Sequence, residues 1–236
     1  MNNIYIPFLK QLLCARNQFS AATLMLEKIT ALYDKEEIIV TPSFIIAKGN
    51  IPIGLVAHLD TVFPTPPELI LHDEQQELMW SPQGLGADDR AGCYAIVDII
   101  TRGYKPTVIL TMDEESGCKG SFKLTEQHRK MPTDLHFLIQ LDRQGDKEAV
   151  YYGCENVEFQ NFITNFGFKT DKGTYSDISI LCPRWGIAGV NLSVGYYNEH
   201  SYMEMLSLDS LQFTIDKVCE ILESNTVSYK YISIRL

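Results

Sequence analysis

The sequence predicts an α/β fold, a three-layer sandwich around a mostly parallel central sheet, and three observations carry that prediction. Ile53 to Ala57, Thr107 to Met112, Phe137 to Leu141 and Ile187 to Val194 are short apolar runs, at least three of them bounded by turn residues. Buried parallel strands read this way because both of their faces are covered. Between the first two runs, Ala91, Tyr94, Ala95, Val97, Ile99 and Ile100 recur at helical spacing from Asp89 to Arg102 and stop at Gly103, which makes a strand, helix, strand crossover. Acidic and imidazole side chains recur at the ends of these elements: His58, Asp88, Glu114 with Glu115, Asp142 and His200. Ligands of an open α/β sheet bind beyond the carboxyl ends of its strands, so this recurrence reads as one site laid out along the chain.

The remaining elements follow from period and punctuation. Ile4 to Tyr33 carries apolar positions at helical spacing, broken near Asn17 to Ser20, with Ser20 expected to cap a second helix over Ala21 to Leu32. Residues 1–34 are thus an N-terminal helical segment within a single domain spanning 1–236. Glu37 to Lys48 reads as one strand, and Glu68 to Trp80, with the polar centre Asp73 to Gln76, as a hairpin at a sheet edge. Further helices are expected over Lys119 to Lys130, briefly after Ser176, and over Ser207 to Leu222 with Asp209 in the first turn. Val227 to Leu236 reads as an extra strand.

The bulk properties exclude several function classes. The chain has 236 residues, 45% of them hydrophobic, enough for one large core. It carries 20 basic against 30 acidic side chains, a formal charge of -10, and no Lys/Arg block, so nucleic acid is not an expected partner. Met1 to Phe8 lacks a basic region followed by a long apolar stretch, and no run approaches the ~18 apolar residues of a membrane span. The expectation is a cytoplasmic protein without a membrane partner. Six cysteines, at 14, 93, 118, 154, 182 and 219, form no C-x-x-C pair, so neither a zinc ribbon nor a dithiol motif is present and reduced core residues are expected. Cys118 closely follows Glu114 and Glu115 and reads either as a small packing residue or as a neighbour of the site.

Each motif has a chemical and a purely structural reading. In His58-Leu59-Asp60, strand alternation puts the imidazole and the carboxylate on one side, so that Asp60 could hold the ring of a metal-binding His58. A surface-turn histidine beside an acid is the competing reading. Gly84-Leu-Gly-Ala-Asp-Asp-Arg-Ala-Gly92 places Asp88 and Asp89 in a glycine-flanked turn that opens a helix, where either carboxylate could instead cap the first N–H groups. Asp113, Glu114 and Glu115 are consecutive carboxylates after an apolar strand and repel one another unless exposed or neutralised by cations. Two such glutamates can divide the work, one ligating a metal and one accepting a proton. Asp142 reads equally as a turn residue and His200 as a loop residue; their joint occurrence in this order is what favours a metal site.

In this order, from His58 to about Glu204, the motifs resemble the co-catalytic di-zinc exopeptidase superfamily, which includes single-domain zinc aminopeptidases, peptidase T, related carboxypeptidases and aminoacylases. The resemblance implies two divalent cations, expected to be zinc, with His58 and Asp142 on one, Glu115 and His200 on the other, and Asp88 bridging. It also implies Glu114 as the general base activating a metal-bridging water, Asp60 as its catalytic partner holding His58, and Asp89 next to an unusual cis peptide. Asp142 and His200 are only 58 positions apart, too few for an inserted lid of ~100 residues. The implied architecture therefore lacks a lid, although Gly86-Ala-Asp-Asp-Arg-Ala-Gly92 is similar to peptidase T. Gly173-Thr-Tyr-Ser-Asp177 resembles the superfamily's substrate loop, which assigns Asp177 either to a free α-amino group or to a helix cap. The implied activity is hydrolysis of short peptides, foremost as an aminopeptidase. Alternatives are a deacylase or amidohydrolase, a carboxypeptidase with Arg90 or Arg143 as carboxylate partner, and a non-catalytic metal-binding interaction protein.

Overall fold

Aliphatic side chains on both faces of the central strands determine where the layers lie. A computed structural model of the chain describes residues 4–128, 134–224 and 226–233. Two helices, α1 (Ile6–Leu13) and α2 (Gln18–Leu32), lead through a 3-10 turn into β1 (Ile38–Val40), β2 (Phe44–Ala47) and β3 (Ile51–His58). A hairpin of β4 (Leu71–Asp73) and β5 (Leu78–Trp80) precedes α3 (Ala87–Thr101), β6 (Pro106–Thr111), α4 (Lys119–Gln127), β7 (Phe137–Arg143) and β8 (Glu148–Val150). The chain continues through α5 (Val157–Thr164), β9 (Lys169–Asp171), α6 (Asp177–Trp185), β10 (Gly189–Ser193), β11 (Tyr196–Tyr197), β12 (Met205–Ser207) and α7 (Leu208–Glu223).

Eight strands form one sheet in the order β1-β2-β6-β3-β7-β10-β8-β9, and its centre is parallel: β3 pairs with β6 on one side and β7 on the other, and β10 extends it beyond β7. Alternation sorts the core. Leu55 and Ala57 of β3, Val108 and Leu110 of β6, and Ile139 and Leu141 of β7 pack with Leu9, Met25, Ile96 and Ile215 of α1, α2, α3 and α7. Val56, Ile109 and Leu138, the intervening residues, pack with Leu124 of α4 and with Ile178 and Leu181 of α6. The result is the three-layer α/β sandwich the apolar runs predicted, with no lid domain among the described residues. Register aligns His58 with Thr111 and Val56 with Gln140, so the carboxyl ends of β3, β6 and β7 lie along one edge. That edge carries the candidate site.

Several elements depart from the sequence reading. Glu37 to Lys48 is a 3-10 turn and an antiparallel β1–β2 hairpin instead of one strand. Pro42 has no N–H for a ladder, and Thr41 Oγ1 accepts the N–H of Phe44 at 2.9 Å, which reverses the chain there. The cap of α2 is Asn17, whose Oδ1 accepts Ser20 N–H at 3.0 Å, because the helix begins at Gln18 and Ser20 already lies inside it. The Glu68 to Trp80 hairpin forms, at the edge of a second, four-stranded sheet in the order β11-β12-β5-β4. Helix α5, which the sequence reading missed, is capped by Asn156 and buries Phe159 and Ile163. The expected C-terminal strand is reduced to isolated bridges, Cys154 with Ser233 and Ile187 with Lys230; Ile234 to Leu236 lie outside the described residues, as do Arg129 and Lys130 of the expected Lys119 to Lys130 helix. All the cysteines are free thiols and buried, except the exposed Cys14. Among the described residues no helix is long and apolar enough to cross a membrane.

The crossover helix is seated by Gly92, where a Cβ would lie 1.9 Å from the carbonyl oxygen of Leu141 on β7. Gly92→Ala would add about 1 kcal/mol of helix propensity, but the contact is with backbone that cannot swing aside. The expected outcome is a net loss of about 1–3 kcal/mol, read from the midpoint of urea unfolding.

Candidate metal centre

The carboxyl edge of the sheet draws distant residues into one cluster. His58 is the last residue of β3, Asp142 stands near the end of β7, and Glu114 and Glu115 follow β6. Asp88 lies in the first turn of α3, while His200 sits in the loop between β11 and β12. His58 Nε2 is 3.0 Å from Asp88 Oδ1 and 3.4 Å from Asp142 Oδ1. His200 Nε2 is 3.1 Å from Asp88 Oδ2 and 3.0 Å from Glu115 Oε1. One ligand atom from each of His58, Asp88 and Asp142 lies within 4.8 Å of the others, and the same holds for Asp88, Glu115 and His200. Asp88 is common to both groups, with one oxygen turned to each imidazole.

The two acids of the Asp-Asp pair have separate jobs. The backbone at Asp88 and Asp89 is non-helical and the peptide between them is cis. Asp89 is buried, its Oδ1 accepting Gly92 N–H at 3.0 Å as a helix cap and its Oδ2 accepting the backbone N–H of His58 at 3.1 Å. Capping and clustering, alternatives in the sequence, therefore both occur, on neighbouring residues. Asp60 Oδ1 is 3.4 Å from His58 Nδ1, out of line for a good hydrogen bond, while its two oxygens accept the N–H groups of Glu114 and Glu115 at 3.1 and 3.0 Å. Asp60 thus ties the β3 end to the glutamate loop.

Other members of the cluster's frame carry no signal at a strand end. Glu204 is fully buried and its carboxylate accepts the backbone N–H groups of Gly86, Ala87 and Asp88, clamping the His200 loop to the turn that presents Asp88. Asp142 is held by Gln140 Nε2 and Ser176 Oγ, each at 2.8 Å, and by the Tyr196 hydroxyl at 3.1 Å. A buried glutamate without a nearby cationic side chain in the sequence, or a Gln two places before an acid on one strand face, were the available hints. Asp177 is fully buried and its two oxygens accept the hydroxyls of Thr111 and Ser121; of its two readings, the helix cap is not realised, because the N-cap of α6 is Ser176.

The electrostatics follow from crowding acids under cover. Burial raises the Glu114 carboxyl to about 8, reinforced by the negative charges of Asp142 and Asp177. Burial and Asp88 raise Glu115 to about 7. Asp88 also meets the cost of burial, yet the two imidazoles hold it well below the carboxylate range. Hydrogen bonding to Asp88 lifts His200 to about 9; for His58, burial opposes protonation and Asp142, Asp60 and Asp88 outweigh it. Positive charge is what this arrangement lacks, and imidazole nitrogens mixed with carboxylate oxygens are the donors that borderline divalent cations take. The donor set thus fits the implied cations. Glu114 is apart from both ligand groups; its Oε1 accepts the Cys118 thiol at 3.3 Å, and it opens with His58, Asp88, Asp142, Tyr175 and His200 onto a cavity of about 180 Å³.

No family model matches the sequence, and no curated protein matches it. Solved structures do share its fold. The tripeptidase of Staphylococcus aureus subsp. aureus Mu50 is 16% identical over 94% of this chain and 98% of its own, with a TM-score of 0.73. The TET aminopeptidase of a marine sediment Thaumarchaeota archaeon is 15% identical over 94% and 97%, also with a TM-score of 0.73. The aminopeptidase PepT of Bacillus cereus ATCC 10987 is 15% identical over 92% and 97%, with a TM-score of 0.69. Over 92–94% of its length, the chain has the fold of these aminopeptidases and this tripeptidase.

Proposed function

We propose that the chain acts as one catalytic domain, a di-zinc peptidase that hydrolyses short peptides, foremost as an aminopeptidase. The observation that carries this reading is the position of Asp88, whose two oxygens face imidazoles from the end of β3 and from the β11–β12 loop at 3.0 and 3.1 Å. A carboxylate so placed suits a bridge between two cations, with His58 and Asp142 completing one set and Glu115 and His200 the other. When bound, such a cation pair would supply Lewis-acid polarisation of a peptide carbonyl and a lowered pKa for a water.

The chain's own groups then account for the proton movements. Glu114 lies in the same cavity outside either ligand set, and its raised proton affinity suits a base working near neutral pH. Its carboxylate takes a proton from the attacking water and returns it to the leaving amine nitrogen. Cys118 steadies the carboxylate through Oε1. Asp60 sets the height of the glutamate loop through its two backbone contacts, with Oδ1 3.4 Å from the His58 ring. The aminopeptidases and tripeptidase of like fold support a free amino terminus as the point of attack.

Incubating zinc-loaded protein with a pool of free and N-acetylated peptides should give ladders shortened from free amino termini by mass spectrometry; loss of acetyl groups or shortening from the other end would replace the aminopeptidase reading with a deacylase or carboxypeptidase. Glu114→Gln should lower turnover by at least about 100-fold with unchanged zinc content, since proton transfer alone accounts for that much; retained turnover would remove Glu114 from the role of base. In calorimetric zinc titrations, Asp88→Ala should weaken both binding steps, whereas Glu115→Ala should weaken only one.

A further inference from the structure

Asp113, the first of the three consecutive acids after β6, belongs to neither ligand group, and its backbone is left-handed, with a φ of 57°. That region is unfavourable for a residue with a Cβ and persists where surrounding contacts hold it. Here those contacts come from outside the loop. Three backbone N–H groups in succession donate to side chains of distant segments: Asp113 to Gln18 Oε1 at 3.0 Å, Glu114 to Asp60 Oδ1 at 3.1 Å, and Glu115 to Asp60 Oδ2 at 3.0 Å. Gln18 closes its contact into a clasp, because its Nε2 donates to Asp113 Oδ1 at 2.9 Å. A backbone N–H can only donate and a carboxylate can only accept, so a side-chain amide is the group that answers both. Gln18 is itself fixed. It is the first residue of α2, whose N-cap Asn17 accepts Ser20 N–H and whose Ala21, Met25 and Ile29 are buried in the core. Gln18, Asp113, Asp60 and Glu115 share the wall of a second and larger cavity beside the cluster, of about 530 Å³.

We propose that Gln18 is a positioning residue of the metal centre: its clasp on Asp113 fixes the start of the loop, and with it the placement of Glu115 as a ligand and of Glu114 as the base. The proposal rests on the di-zinc peptidase reading for what those two glutamates do. It gives the N-terminal helical segment a part in the site, although that segment contributes no side chain to either ligand group. Asp60 holds only the second and third N–H groups of the loop. Without Gln18 the left-handed residue before them is free to relax and to carry both glutamates with it.

The test uses the polarity of the clasp. Gln18→Glu removes the donor and sets a carboxylate against Asp113, whereas adding Asp113→Asn restores two hydrogen bonds, the introduced side-chain amide donating to the introduced carboxylate. Asp113→Asn alone keeps an acceptor for Gln18 and should behave as the unsubstituted protein. In zinc calorimetry Gln18→Glu should weaken one of the two binding steps by about tenfold and leave the other unchanged, the lower end of what losing a ligand's supporting contact costs. With saturating zinc its kcat on trialanine should fall by a similar factor at unchanged KM, and the double variant should recover both. Amide exchange of the metal-free proteins, followed by NMR, should be faster at Asp113, Glu114 and Glu115 in Gln18→Glu alone. A merely structural contact would move the exchange and the urea midpoint but neither the zinc step nor kcat. Unchanged exchange in Gln18→Glu, or a double variant no better than Gln18→Glu, overturns the clasp; faster exchange with zinc binding and kcat unmoved overturns the positioning role and leaves the peptidase reading standing. Exchange and zinc affinity that both follow the swap, with no peptide cleaved by the unsubstituted protein, uphold the positioning of Glu115 and overturn the peptidase reading instead.

Discussion

The contact on which the rest of the site depends is the double engagement of Asp88, one oxygen toward His58 and the other toward His200. A buried carboxylate is costly without partners, and here the cost is offset by two imidazoles brought from elements more than a hundred residues apart in the chain. For both to reach it, the turn from Gly86 to Asp89 must be held still. Gly86 takes the left-handed backbone the turn needs, Glu204 collects three of its N–H groups, and Asp89 is fastened to both His58 and Gly92. The fold's central layer thus reaches its chemistry through one short segment that is over-determined from all sides.

The parallel sheet explains why the acids can gather there. Strands β3, β6 and β7 are in register and end together, so each contributes a residue or loop to the same edge without bending. Apolar packing above and below supplies the stability that the acidic edge withholds; a fully buried aliphatic side chain contributes about 1.5–3 kcal/mol, and both faces of these strands are lined with them. Burial first, and the neighbouring carboxylates second, push Glu114, Glu115 and Asp142 toward the protonated form. Stability is built in the layers, and the edge is left short of positive charge.

Two cavities divide the neighbourhood by chemistry. The smaller, lined by Glu114, Tyr175 and the imidazoles, holds the groups that can move protons. In the larger, Asp60 and Asp113 are held by amides and Glu115 faces the His200 imidazole.

The strands, the crossover helix and the order of His58, Asp88, Glu114, Glu115, Asp142 and His200 were legible in the chain itself, because burial on two faces forces continuous apolar runs and sites on such sheets sit where those runs end. The competing roles of Asp88 and Asp89 were not separable there, since capping and clustering ask for the same residue type, and only the three-dimensional turn assigns one to each. Asn17 instead of Ser20 as a cap, and the β1–β2 reversal at Thr41 and Pro42, turned on one or two local hydrogen bonds that period alone does not register. Tertiary structure alone decided that Asp177 is sealed behind Thr111 and Ser121, that Glu204 reaches back more than a hundred residues to the Asp88 turn, and that Gln18 clasps Asp113. Composition and spacing establish which groups a chain possesses; whether a polar group finds its partner depends on contacts between segments far apart in sequence, and those exist only once the layers have packed.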